Sequence, residues 1–234
     1  MDITKKAFPV PVRLELKKTV TPPALPQPIQ ERLSLGVDRA EANSRAILER
    51  IGPQRLQRYE RECIELSRSS APTWIRLRRL YELVEEVAVF VRPNAACHRG
   101  CFHCCQCAVE VTRTEAEMIG VAIGRKPKKA PERREHDSYG NFKGFVWGPS
   151  NPCTFLVEGQ CSIYENRPLR CRTHYSVDVD NTLCVPSYPL TWVTYLFNMQ
   201  IFVGAYAEIC GGTIRYRAAD IRDYFPKIPG TDVP

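Results

Sequence analysis

The sequence lacks a glycine-rich loop set between a strand and a helix, and with it the usual cradle for a nucleotide. Its first residues, Met1-Asp-Ile-Thr-Lys-Lys-Ala-Phe-Pro, hold no apolar run long enough for a secretory leader and are broken by proline. That predicts a cytoplasmic chain, in which thiols stay reduced and closely spaced cysteines serve metals more often than disulfides. A membrane span is also missing. Leu190 to Ala207 carries no charge, but Thr191, Thr194, Asn198 and Gln200 interrupt it and no basic cluster flanks it, so it reads as a buried helix. Aromatics do not alternate with basic residues as they do on single-strand nucleic-acid platforms. No nucleophile and base stand out as a catalytic pair.

What the chain has in excess is cysteine. There are 11 in 234 residues, five of them between Cys97 and Cys107. With 44% apolar residues the chain can bury a core without disulfide staples, and the odd count suits complete pairing poorly. The net charge of +7 is spread along the sequence and selects no partner by itself.

Prolines at positions 9, 11, 22, 23, 26 and 28 predict an extended or disordered arm over residues 1–29. A helical segment follows over 30–92, with Ala40, Ile47 and Ile51 on one face, Leu56, Tyr59, Cys63 and Leu66 on a second, and Trp74, Leu77, Tyr81, Val84 and Ala88 on a third. Gly52-Pro53 and Ala71-Pro72 divide it into three helices. Residues 93–234 form a cysteine-rich domain, and 30–234 are expected to make one compact, mainly α unit with short β or irregular segments.

Within it, Thr114-Glu-Ala-Glu117 and Ser162-Ile-Tyr-Glu165 match capping boxes, the first opening a helix that stops near Gly124. Arg125 to Glu135 predicts an exposed basic loop, Tyr139 to Trp147 a strand or hairpin, and Pro189 to Ile209 a long apolar helix followed by a polar tail.

The chemistry centres on Cys97-His-Arg-Gly-Cys101-Phe-His-Cys104-Cys105-Gln-Cys107. Two cysteines separated by two residues can aim at one ion while the intervening amides support their thiolates. Cys101 and Cys104 meet that spacing, with Cys97 a turn upstream. Adjacent side chains diverge, so Cys104 and Cys105 need not serve the same metal atom. A second group, Cys153, Cys161 and Cys171, sits at element boundaries and can converge with the first. His174 is either a nitrogen ligand or a core residue, Cys107, Cys184 and Cys210 are either further ligands or buried thiols, and Cys63 reads as core.

These residues resemble the YkgJ-type cysteine-cluster family, a CxxCxxCC domain associated with zinc or iron chelation. Cys97, Cys101, Cys104 and Cys105 match its first motif; Cys153 with Phe155 and Leu156, then Cys161, Ile163, Tyr164, Arg167, Pro168, Cys171 and Arg172, match its second. Thr154 stands where the family usually has proline, and Cys97 and Cys101 are three residues apart rather than two. The resemblance implies that the seven motif cysteines hold metal, and that the two groups come together.

Arg167 and Arg172 are the candidate cofactor-side charges, offsetting the thiolates. The expected cofactor is an iron-sulfur cluster, since seven thiolates exceed what one zinc needs, or else zinc. A redox or substrate-activating role on an unidentified protein or small molecule follows. Two alternatives stay open: a zinc-stabilised module that contacts nucleic acid or protein through Arg55, Arg58, Arg76, Arg78, Arg79 or the Lys126 to Arg134 loop, and a methyltransferase-like enzyme.

Overall fold

The structure is a computed structural model that describes residues 27–131, 150–184, 195–212 and 217–227. Most of the proline-rich arm, Arg133, Arg134, the Tyr139 to Trp147 segment and the first part of the expected Pro189 helix lie outside those residues.

The three expected helices form. They are α1 (Gln27–Ile51), α2 (Pro53–Arg68) and α3 (Thr73–Val91). Gly52 breaks the first from the second with φ 78°, and Pro53 opens α2 where its missing amide costs nothing. Ala40, Ile47, Ile51, Leu56, Tyr59 and Cys63 are buried as their spacing predicts. On α3 the expected Leu77, Val84 and Ala88 are fully buried, the buried face widens to Leu80, Leu83, Val87 and Val91, and Trp74 falls outside it at 48% exposed, while Tyr81 turns its hydroxyl to the Glu115 carboxylate.

The helix expected from Pro189 is shorter among the described residues. Only α6 (Gln200–Ile209) is helical, and Tyr195 to Met199 is not. The cause is tertiary: Val177 donates its amide to the Tyr195 carbonyl and Phe197 donates to Tyr175, both near 2.9 Å, and Ser176 bridges Leu196. The helix then begins where the Asn198 carboxamide accepts the Gln200 amide at 2.9 Å. Phe202, Ala205, Tyr206 and Ile209 pack α6 across α2 and α3, with Phe202 edge-on to Tyr59. Each such fully buried large side chain contributes about 1.5–3 kcal/mol relative to exposure. No described helix is long and apolar enough to cross a membrane.

A second, smaller apolar cluster carries the cysteines. It is built on β1 (Glu110–Thr112), paired antiparallel with β4 (Ala218–Asp220), and on α4 (Arg113–Ile123), the β2 (Leu156–Val157) to β3 (Gln160–Cys161) hairpin, α5 (Leu169–Arg172) and α7 (Ile221–Tyr224). Val109, Val111, Ala116, Ile119, Phe155, Ile163, Ala219, Ile221, Tyr224 and Phe225 fill it.

Several local expectations shift. The cap of α4 is Thr112, not Thr114: its hydroxyl accepts the Glu115 amide, while the Glu115 side chain turns inward. Gly124 ends the helix in the left-handed region at φ 67°, as expected. Ser162 does not cap a helix. Its hydroxyl bonds the Phe155 carbonyl at 3.2 Å, Tyr164–Asn166 makes only a 3-10 turn, and α5 restarts after Pro168. Residues 218–225 are not a polar tail but buried core, because Ala218, Ala219, Ile221, Tyr224 and Phe225 face inward.

Candidate metal centre

The first cysteine segment is held by short turns. Ala96 donates its amide to Ser176 at 2.9 Å, Gly100 turns the chain at φ 94°, and Cys101 donates to the His98 carbonyl at 3.1 Å. A 3-10 turn over His103–Gln106 then places Cys104 and Cys105, closed by the Cys105 amide on Phe102 and the Cys107 amide on Cys104.

The second segment is tied directly to the first. Cys153 donates its amide to the Cys105 carbonyl at 2.7 Å. Glu158 (φ 47°) and Gly159 (φ 73°) form the two-residue turn that folds β3 back on β2 and sets Cys161 opposite Leu156. Cys171 rides on α5, whose first amide, that of Leu169, is held by Glu115 at 2.8 Å.

All eleven cysteines are free thiols. Cys105, Cys161 and Cys171 pack with Cys153 against the second apolar cluster, and Cys97 packs against the first. Cys104 lies between them. The Cys105 thiol donates to the Cys104 sulfur, which draws Cys104 below its ordinary value and pushes Cys105 up. Charge on Cys104 is felt by Cys97, Cys101, Cys105, Cys107, Cys161 and Cys171. Burial raises the thiols of Cys97 and Cys153 to about 12, and that of Cys171 well above its usual range.

Backbone amides oppose that cost at specific sulfurs. The amides of His103, Phe155 and Ile163, each two residues after a cysteine, favour the thiolates of Cys101, Cys153 and Cys161. Ser176 donates its amide to Cys97 Sγ at 3.2 Å.

Arg167 is the cation beside the thiols. It favours the ionised forms of Cys104, Cys161 and Cys171, stacks over Tyr164 at 4.1 Å, and keeps a buried Nε that meets no partner. Arg172 differs: its guanidinium is occupied by Glu85 at 2.6 Å, by the Arg167 carbonyl at 2.8 Å and by the Glu165 carbonyl. It braces the turn that presents Arg167. Glu165 does not pair with Arg167 but faces Arg99 at the surface.

Donor chemistry fits a thiophilic metal on two counts, the free thiols and the buried His103 Nδ1 that meets no partner, while Arg167 Nε, also buried and without a partner, is a hydrogen-bond donor that can face thiolate sulfur rather than a metal. Burial also holds His103 neutral, and Asn181 fixes its other nitrogen at 3.1 Å. Yet among the described residues no three His, Cys, Asp or Glu side chains stand as a set that could hold an ion. The thiols are neighbours rather than a closed ligand shell.

The remaining candidates divide. Burial depresses His174 to about 4, so it is neutral, and its carbonyl accepts the Cys97 thiol at 3.8 Å. Cys107 and Cys184 lie within electrostatic reach of each other, and Cys184 also reaches Cys97, whereas Cys63 sits in the helical core and Cys210 beside Thr112. Arg222 and Asp220 were not apparent as site residues from the sequence, although Asp220 and Asp223 stand at capping-box spacing and form one. The arginines considered for nucleic acid turn largely to their own chain. Arg58 and Arg79 pair with Glu62 and Glu86, Arg76 bonds the Leu66 and Ile209 carbonyls, and Arg55 and Arg78 lie over Phe90 and Trp74.

Comparison with known proteins gives one match. No curated protein and no solved structure matched. Residues 96–191 match the CxxCxxCC family model, described as "Putative zinc- or iron-chelating domain". The match takes in the cysteine turns and α5 but stops short of α6, β4 and α7. Over residues 96–191 the chain is therefore similar to the CxxCxxCC domain so described.

Proposed function

We propose that Cys97, Cys101, Cys104, Cys105, Cys153, Cys161 and Cys171 together hold an iron-sulfur cluster. The observation that carries this reading is the hydrogen bond from the Cys153 amide to the Cys105 carbonyl at 2.7 Å, which puts the two sequence groups of cysteines side by side. Seven motif cysteines are more than the four donors that one zinc ion or one cluster takes, and a donor set of thiols without histidine favours cluster iron, which is held by thiolates. Ligation requires the thiols to lose protons and draw inward, a rearrangement that metal binding drives.

The chain's residues have separable tasks. The amides of His103, Phe155, Ile163 and Ser176 stabilise individual thiolates, Arg167 offsets their summed charge, and Arg172 with Glu85 fixes the turn that carries Arg167. When bound, a cluster supplies electron transfer or a Lewis-acidic iron for a small molecule or protein partner. The test is anaerobic purification followed by visible absorption and metal analysis. A broad visible band with iron and acid-labile sulfide is expected; colourless protein with stoichiometric zinc overturns the cluster and leaves a zinc-thiolate centre.

A further inference from the structure

We propose that Arg222, backed by Asp220, is a positioning residue for the cysteine segment, clamping the carbonyls of Cys105 and Cys107 so that their thiols face the site. The proposal rests on the metal-centre reading above, but the clamp itself is a matter of backbone geometry.

Arg222 is buried, 7% exposed, and both terminal nitrogens of its guanidinium are engaged. Nη1 donates to both carboxylate oxygens of Asp220 at 2.9 and 3.0 Å. Nη2 leaves its own element and donates to the Cys107 carbonyl at 2.9 Å and the Cys105 carbonyl at 3.2 Å. The carboxylate is itself immobilised, since it accepts the Val109 amide at 2.7 Å and the Arg222 amide at 2.9 Å. Helix capping at α7 needs only the Asp220 and Asp223 carboxylates and two backbone amides, so the reach to the cysteine turn is beyond what the cap requires.

The carbonyl of Cys105 also accepts the Cys153 amide, so a single oxygen joins both cysteine segments and the guanidinium. Arg222 is close enough to favour ionisation at Cys107 and Cys153, as a counter-charge to both segments. A planar guanidinium can meet two carbonyls and a carboxylate at once, whereas an ammonium cannot hold that fork. Arg222 lies beyond residue 191, where the family match ends. The site is thus braced by a part of the chain beyond the residues that the family model matches.

The experiment compares wild type with R222Q, R222K and, as a matched control, R76Q, which removes an arginine bound to the Leu66 and Ile209 carbonyls. Two readouts are taken on the full chain: release of bound iron or zinc to EDTA, and iodoacetamide alkylation of Cys105 and Cys107 relative to Cys97 in reduced, metal-free protein, by mass spectrometry. Loss of a supporting contact around a metal typically costs about 10- to 100-fold in affinity. R222Q and R222K should both release metal at least about tenfold faster and show raised relative alkylation at Cys105 and Cys107, with R76Q unchanged. Wild-type behaviour in R222K overturns the fork, leaving only charge. Equal acceleration in R76Q overturns positioning in favour of general loosening. A wild-type protein without metal overturns the metal-centre reading alone, and the alkylation ratio still decides the clamp. If circular dichroism shows R222Q unfolded, R222K, which keeps the charge and length, carries the comparison.

Discussion

Cys63 and Cys104 carry the same side chain and differ in what surrounds it. Burial beside the helical core raises Cys63 to about 12, and its neighbours are apolar, whereas Cys104 is drawn down by the Cys105 thiol and Arg167. C104S should therefore lose bound metal with little change in helix content. C63S should keep its metal and lose about 1–3 kcal/mol of stability, because a hydroxyl replaces a buried apolar sulfur; metal analysis and thermal denaturation separate the two. Glu115 offers a further residue-level test. Fully buried, it accepts the Tyr206 hydroxyl at 2.7 Å, the Leu169 amide and the Tyr81 hydroxyl, and burial holds its carboxyl above the ordinary 4.5. A raised carboxyl binds its proton more tightly folded than unfolded, so this contribution is present below the ordinary value and is lost as pH rises through the folded one. The melting temperature of wild type should fall across that window relative to E115Q, whose neutral amide has no proton to lose.

At the scale of elements, the β2 to β3 hairpin and the C-terminal β4 to α7 unit were unequally visible in the sequence. The three helices were legible because Gly52-Pro53 and Ala71-Pro72 interrupt apolar stripes of helical period. The start of α6 was not, since an uncharged apolar run fits a buried extended segment as well as a helix, and only the pairing of Tyr195 and Phe197 with Val177 and Tyr175 decides it. Cysteine spacing singled out the thiols proposed for the site. It could not show Arg222, whose role depends on β1 meeting β4, two three-residue strands far apart in sequence. The hairpin gives an element-level prediction. Gly159 sits at φ 73°, where a Cβ costs about 1–2 kcal/mol, while the nearest atom a Cβ would meet is the Phe102 ring at 3.8 Å, an ordinary contact. G159A should lower the melting temperature through backbone strain and speed metal release, because the turn sets Cys161; chelator kinetics alongside calorimetry test both.

On the scale of the whole molecule, two apolar clusters do different work. The larger joins α1, α2, α3 and α6 with Leu169, Tyr175, Val177, Phe197 and Met199 and has Cys97 at its edge, and the smaller holds Cys153 with Cys105, Cys161 and Cys171 along its edge. Removing metal with EDTA under reducing conditions should leave the far-ultraviolet helix signal largely intact while hydrogen exchange rises across residues 96–111 and 150–175. Uniform exchange increases through α2 and α3 would show instead that the clusters stand or fall together. The arginines on α2 and α3 point the same way. Arg58 and Arg79 are spent on Glu62, Glu82 and Glu86, so these helices present mixed charge to solvent rather than a basic face.

The contact from Arg222 back to Cys107 spans 115 residues. A ribosome makes the chain from the N-terminus, so every motif cysteine from Cys97 to Cys171 is synthesised before the arginine that braces the Cys105 to Cys107 turn. During that interval the thiols are present and can be oxidised or can capture a wrong ion. Orderly loading of the centre therefore comes late in the protein's life, after β4 has found β1, and a chain stalled before residue 222 would offer metal an unbraced set of thiols.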